Sequence, residues 1–146
     1  MPPFMLIRLA SEEDLAACGA IYADAFKGPP YDEEWAPTKA SDMLSELLKK
    51  DSESCWCAEE DGQILGFAFC TTFGGFRVLI QEFAVHPRLQ KKGIGTKLMK
   101  HILAEFQVRG IMSAELVVNK HAHAFDFYRR FGFSTPRNYT LMIRTL

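Results

Sequence analysis

The most constraining feature of the chain is a junction between three kinds of sequence. Residues 77–85, Arg-Val-Leu-Ile-Gln-Glu-Phe-Ala-Val, are apolar through much of their length. They read as a strand interior to a sheet. Residues 96–108 place Leu98, Met99, Ile102, Leu103 and Phe106 on one face, the pattern of an amphipathic helix. Between them lies a polar loop, residues 86–95, ending in Gln90-Lys91-Lys92-Gly93-Ile94-Gly95 before Thr96. Glycines at spacing two let a backbone take positive φ and approach a ligand closely. N–H groups at the start of the helix then face the loop, where the dipole favours an anion. Lys91, Lys92 and Lys97 add positive charge. The segment reads as a pyrophosphate cradle. A Walker A string G-x-x-x-x-G-K-[ST] is absent, and the third glycine of G-x-G-x-x-G is replaced near Leu98 and Met99.

The rest of the chain arranges itself around this junction. Residues 4–9 read as a first strand. Ser11-Glu-Glu-Asp14 is a helix start with acids in its first turn. Leu15, Cys18, Ile21, Tyr22 and Ala25 share one helix face, and Gly28-Pro29-Pro30 ends that helix. Thr38 is the expected cap of a second helix reaching Lys50. Strands are expected over 54–59 and 63–72, joined by the hairpin pair Asp61-Gly62. Gly74-Gly75 turns the chain into the strand at 77–85. A strand over 113–118, a helix over 121–131 stopped by Gly132, and a last strand over 139–144 complete the order β-α-α-β-β-β-α-β-α-β. The expected fold class is α/β, a mixed sheet with helices on its faces, in a single domain over residues 1–146.

Composition excludes several classes. The chain has 146 residues, 48% apolar and 24% charged, which argues against disorder, collagen-like sequence and coiled coil. No apolar run is long enough to span a bilayer, so no membrane partner is expected. The first residues lack the pattern of a secretory signal. The four cysteines, Cys18, Cys55, Cys57 and Cys70, form no C-x-x-C pair and have no matching histidine cluster, so no metal site is expected. They read as reduced core thiols of a cytoplasmic protein. Net charge is −1, yet it is unevenly spread. Residues 1–62 hold 14 Asp and Glu against 5 Lys and Arg; residues 63–146 hold 4 against 12. A basic half raises nucleic acid as a partner. The basic residues cluster around the phosphate loop without interleaved exposed aromatics, so no nucleic acid is expected.

Residues 83–95, Phe-Ala-Val-His-Pro-Arg-Leu-Gln-Lys-Lys-Gly-Ile-Gly, resemble the acetyl-CoA signature of the GNAT superfamily of N-acetyltransferases: an apolar strand ending in V-x-P, then [QR]-x-x-G-x-[GA]. Ile7-Arg8 followed by Asp14 looks like that family's first strand and helix. Residues 127–133, Phe-Tyr-Arg-Arg-Phe-Gly-Phe, look like its F-Y-x-x-x-G-F ending, and residues 142–146 like its closing strand. The stretch from Phe26 to Trp35 is loosely similar to a branch that includes aminoglycoside N-acetyltransferases.

The resemblance implies a central, mostly antiparallel sheet splayed at the CoA site, with helices on both faces. It implies acetyl-CoA as co-substrate, held at its pyrophosphate by Gln90, Lys91, Lys92, Gly93, Ile94, Gly95 and Thr96. Phe83, Ala84 and Val85 belong to the strand that pairs its backbone with the pantetheine arm. Asn119 stands near a family asparagine, although His121 occupies the expected slot three before Ala124. Tyr128 is the candidate acid for the leaving thiolate; a packed amphipathic tyrosine is its bland counterpart. Glu82 is the sole acid between Asp61 and Glu105. It is a candidate base or a binder of a cationic substrate, with an exposed strand glutamate as the alternative. Gln81 is expected on the opposite face from Glu82. The function implied is transfer of an acetyl group to a primary amine of a small molecule. The alternatives are an acyl-CoA-binding module without turnover and acetylation of a peptide amine. The acidic half coincides with the region expected to meet the acceptor, which favours a cationic amine. Homodimers are frequent in the family, and the sequence leaves the oligomeric state open.

Overall fold

The computed structural model describes residues 4–146. Its elements are β1 (Leu6–Leu9), α1 (Leu15–Ala25), α2 (Pro37–Lys50), β2 (Cys55–Glu60), β3 (Gln63–Phe73), β4 (Arg77–Val85), α3 (Ile94–Val108), β5 (Ser113–Glu115) and α4 (His123–Arg130). One five-stranded sheet has the order β1-β2-β3-β4-β5. The first four strands pair antiparallel with their chain neighbours. β5 joins parallel to β4 after the α3 crossover.

Strand alternation divides the core between the two faces. Cys55, Cys57, Phe67 and Phe69 pack under α1 and α2, with Cys18, Tyr22, Leu44 and Leu48. Trp56, Ala68, Cys70, Val78 and Ile80 pack under α3 and α4, with Leu98, Met99, Ile102 and Tyr128. The four thiols are buried and unbridged. Burial pushes the Cys55 thiol up to about 12, which keeps it an inert packing group. No helix among the described residues is long and apolar enough to cross a membrane.

An ion network ties the start of the chain to the sheet. Asp14 opens α1 after a short 3₁₀ turn, and its carboxylate accepts the Ser11 N–H at 2.8 Å. The same carboxylate takes two guanidinium bonds from Arg8, at 2.7 and 2.8 Å. Arg8 Nε reaches Glu59 on β2 at 2.9 Å. This geometry is bidentate, charge-assisted and largely shielded.

Several boundaries differ from the sequence expectations for local reasons. Ala36, not Thr38, caps α2, because Pro37 sits at the first helical position. There its missing N–H and fixed φ are an advantage. α3 begins at Ile94, since Gly93 turns through φ 85° as its cap. α4 begins at His123 because the Asn119 side chain accepts the His121 N–H at 2.8 Å and closes a turn. The strand expected over 113–118 is cut to Ser113–Glu115, where Arg77 pairs with Glu115. The last strand expected over 139–144 does not form: the segment carries no ladder bonds, and Tyr139, Leu141, Met142 and Ile143 are exposed.

The register of β4 contains one irregularity. Phe69 faces Glu82, but the next residue, Cys70, faces Ile80, so Gln81 is the extra residue of a β-bulge. Val78 and Ile80 belong to the α3/α4 face, whereas Ala84 belongs to the α1/α2 face. The bulge has inverted the alternation. It also corrects the expectation that Gln81 and Glu82 oppose one another. The Gln81 side-chain oxygen accepts from Thr71 Oγ1 at 3.0 Å, and Thr71 continues the alternating set of Phe67 and Phe69. Both side chains of the bulge therefore lean to the α1/α2 side.

The hydrogen bonds from Arg8 hold Asp14 below the usual carboxylate range, against the opposing effect of burial. A carboxylate lowered in the folded state stabilises above its unfolded pKa and loses that contribution as pH falls through the folded value. Asp14→Asn is expected to cost about 2 kcal/mol at pH 7, the scale of bonds to a charged group. In urea unfolding, the gap between variant and parent should close as pH falls below about 4.

Candidate active site

From Ile80 onward, β4 has a strand partner on one side only among the described residues. Its pairing with β5 ends at Leu79–Glu115, while its pairing with β3 continues to Val85. The released edge opens into a groove of about 430 Å³ lined by Phe83, Ala84 and Val85 of β4. Gln90, Lys91, Gly93, Gly95 and Thr96 line it from the loop and the start of α3. One continuous surface thus joins an exposed strand edge to a helix N-terminus.

The loop conformation explains its residues. Lys91 and Gly93 both take left-handed backbone, with φ of 66° and 85°. Such turns aim successive N–H groups into a concavity that suits an anion. Gly95 has no such φ, and a Cβ there would meet Val85 and Phe127 at 3.5 Å, an ordinary contact distance, so packing does not demand a glycine at this position. The Gln90 side-chain amide donates to the Val85 carbonyl at 3.2 Å, tying the loop back to the end of the strand. Ile94 is buried with Ala58, Leu65 and Val85 and anchors the helix start. Lys92 and Asn119 lie outside the groove lining, and the Asn119 side chain serves the turn before α4.

Residues not anticipated as site residues come from α4 and α1. His123, Asp126, Phe127 and Arg130 line the groove, as do Ala25 and Phe26. The α4 set falls at i, i+3, i+4 and i+7, which places it on one helix face. That spacing was the available signal.

Glu82 and Tyr128 also lie outside the groove lining, on opposite faces of the sheet. The bulge turns Glu82 toward α1, where Tyr22 lies beside it. Burial pushes the Glu82 carboxyl up to about 7; the Glu33 carboxylate adds to this, and the Tyr22 hydroxyl pulls it back. Glu33 is positioned by Trp35, whose indole N–H donates to its carboxylate at 2.7 Å, and Tyr22 meets Trp35 edge-on at 5.1 Å. Phe26 and Tyr31 extend the same aromatic wall. Tyr128, on α4, packs edge-on against Phe83 and Phe133 and beside Phe127. Burial raises its phenol above the usual value, with Tyr31, Glu82 and Cys70 adding to the effect. A phenol kept protonated and a carboxyl poised near neutrality therefore share one electrostatic environment at the edge of the groove. That combination can give a proton on one side and take one on the other.

Comparison with known proteins accords with this arrangement. Residues 12–133 match the family described as the acetyltransferase (GNAT) family. An uncharacterized N-acetyltransferase of Archaeoglobus fulgidus is 32% identical over 145 residues, covering 92% of this chain and 96% of that one. The PaiA N-acetyltransferase from Thermoplasma acidophilum, solved in complex with coenzyme A, superposes with a TM-score of 0.79 at 20% identity over 91% of each chain. An aminoglycoside N-acetyltransferase in complex with CoA gives a TM-score of 0.73 at 15% identity, covering 100% of this chain and 98% of that one. With the family match spanning the sheet, the loop before α3 and the helix that carries Tyr128, the chain belongs to the GNAT family and is an acetyl-CoA-dependent acetyltransferase.

Proposed function

We propose that the chain, acting as one domain, transfers the acetyl group of acetyl-CoA to a primary amine of a cationic small molecule, such as a polyamine or an aminosugar. The reaction is direct attack within a ternary complex. The observation that carries this reading is the pair Glu82 and Glu33, set in an aromatic wall on the α1 side of the open β4 edge. An ammonium acceptor suits carboxylates and aromatic faces together.

In this reading the left-handed turns at Lys91 and Gly93 present N–H groups to the pyrophosphate, with Lys91 and Lys92 supplying charge. Gln90, Gly95 and Thr96 shape the floor and the helix start, and Ile94 contributes through its backbone. The main chain of Phe83, Ala84 and Val85 pairs with the amide arm of the co-substrate. A backbone N–H near Val85 polarises the thioester carbonyl. Glu82, ionised, first takes one proton from the acceptor ammonium, directly or through water, and the neutral nitrogen then forms its bond to the acyl carbon as the carbon–sulfur bond breaks. Tyr128 donates its hydroxyl proton to the departing sulfur and regains one, through water, from the nitrogen as the amide forms. Asn119 is left with a structural role at the entry to α4.

Three expectations test the assignment. Tyr128→Phe should lower kcat by about 10²-fold, the low end of acid–base contributions, while CoA affinity measured by calorimetry stays within a few-fold. An unchanged kcat removes Tyr128 from the mechanism. Glu82→Gln should abolish the acidic limb of the rate profile, which in the parent rises through about pH 7. The same variant should be more stable than the parent at pH 8 and equal to it near pH 4. An acid raised in the folded state destabilises that state once the unfolded chain has ionised, so its penalty grows between pH 4.5 and about 7. Gly93→Ala should weaken CoA binding by roughly tenfold, because the loop relaxes from a turn that strains a Cβ by about 1–2 kcal/mol and binding must restore it. For the acceptor, thiol release from acetyl-CoA would be compared across polyamines, aminosugars, amino acids and peptides. Equal or better turnover with an anionic acceptor overturns the cationic assignment.

A further inference from the structure

The groove beside β4 contains a cation with no ionic partner among the described residues. Arg129 and Arg130 end α4 side by side, where both suit the negative end of its dipole. Their guanidinium groups are committed differently. That of Arg129 lies over the Phe125 ring, 5.9 Å from its centroid, a cation–π contact on the helix surface. Arg130 instead lines the groove together with Lys91, Gly93 and Gly95. It is exposed and takes part in none of the ion pairs. Its position is fixed by the way α4 meets the start of α3. A Cβ at Gly95 would touch the Phe127 ring at 3.5 Å. Arg130 follows Phe127 by three residues on the same helix face, about 4.5 Å further along the axis. The guanidinium thus stands beside the loop without belonging to it. The acid on that face, Asp126, also lines the groove and is not ion-paired with Arg130.

The chemistry of the co-substrate supplies an occupant. Coenzyme A carries a diphosphate and, set apart from it by a ribose, a phosphate monoester on the 3′ oxygen. The left-handed turns at Lys91 and Gly93 offer backbone N–H groups to one anionic group. A second anion in the same groove calls for a second cation, displaced from the loop. A guanidinium is always charged and can meet a phosphate with two parallel hydrogen bonds. Of the other basic side chains in the lining, Lys91 belongs to the loop itself, and His123 lies seven residues before Arg130 at the opposite end of α4. Given a diphosphate held at the loop, we propose that Arg130 binds the ribose 3′-phosphate of coenzyme A and makes the chain discriminate against the 3′-dephosphorylated co-substrate. The placement of the diphosphate is the one reading on which this assignment rests; the acceptor amine plays no part in it. Arg130 acts in binding alone, and no bond forms or breaks at its side chain.

The test is calorimetric titration of the full chain with coenzyme A and with 3′-dephospho-coenzyme A. The parent is expected to bind coenzyme A about tenfold more tightly, the scale of a hydrogen bond to a charged group. Arg130→Ala should lose that factor for coenzyme A and leave the dephosphorylated ligand within about twofold, so that the two bind alike. Arg129→Ala removes a neighbouring cation from the same helix end and should keep the preference of the parent. If Arg130 merely steadied the end of α4, its removal would weaken both ligands equally. That result overturns the proposal, and so does a preference that survives Arg130→Ala or a parent that binds both ligands alike. Gly93→Ala reports separately on the diphosphate. An equal loss of affinity for both ligands supports its place at the loop, and unchanged affinity for both removes it from there. Failure of the Arg130 assignment is thereby distinguished from failure of the loop placement, and neither readout involves acetyl transfer.

Discussion

Strand β4 keeps one partner and loses the other after Leu79, and the rest of the site depends on that loss. A backbone edge inside a protein must find partners for its N–H and C=O groups. Here three residues of β5 make a short parallel pairing, with Arg77 at its beginning reaching Glu115 at its end, and then the chain turns away. What remains is a row of backbone groups beside a groove, suited to a ligand that is itself built from amides. Tyr128 lies in the layer on the α4 face of this divergence and Glu82 on the α1 face. Gln90 and Ile94 hold the loop before α3 in line with that edge. The strand edge, the loop and the two titratable groups are thus consequences of one early separation of strands.

The surroundings of Glu82 show how the fold tolerates a carboxyl that burial disfavours. The glutamate lies under α1 among aromatic rings, near a second carboxylate, with one hydroxyl beside it. Such a placement detracts from stability and makes a better proton acceptor near neutral pH. The balance comes from elsewhere in the molecule. Two apolar layers enclose the sheet, and the Arg8–Asp14–Glu59 network fixes the start of the chain to β2. These lie away from the open edge of β4.

Much of this was legible in the residues. The extent of β4 follows from its apolar run, the hairpin from Asp61-Gly62, and the loop at 90–96 from its glycines and lysines. Those signals are local, and local chemistry decides them. Helix starts shifted by one or two residues wherever a nearby group had priority: Pro37 at α2, Gly93 at α3, the Asn119 turn at α4. The strand expected at 139–144 has the right composition but makes no ladder bonds, and composition does not by itself secure a partner. The contributions of Tyr22, Glu33 and Trp35 were hidden because they depend on how α1 and the loop after it fold over β4. The face occupied by Glu82 was hidden for a different reason. It rests on a single unpaired residue, and side-chain periodicity carries no mark of it.

The bulge at Gln81 has a consequence for how such a strand can change. In a regular ladder, the side on which a residue appears is a matter of odd and even. One inserted residue exchanges the two sets for everything beyond it, so Glu82 and Ala84 turn to one helix layer and Phe83 to the other. The chemistry on each side of the sheet is therefore governed by a count rather than by the identity of a side chain. A change of chain length by one residue at this point would trade the carboxyl for a phenyl ring, with no side chain redesigned. No single substitution exchanges both faces at once.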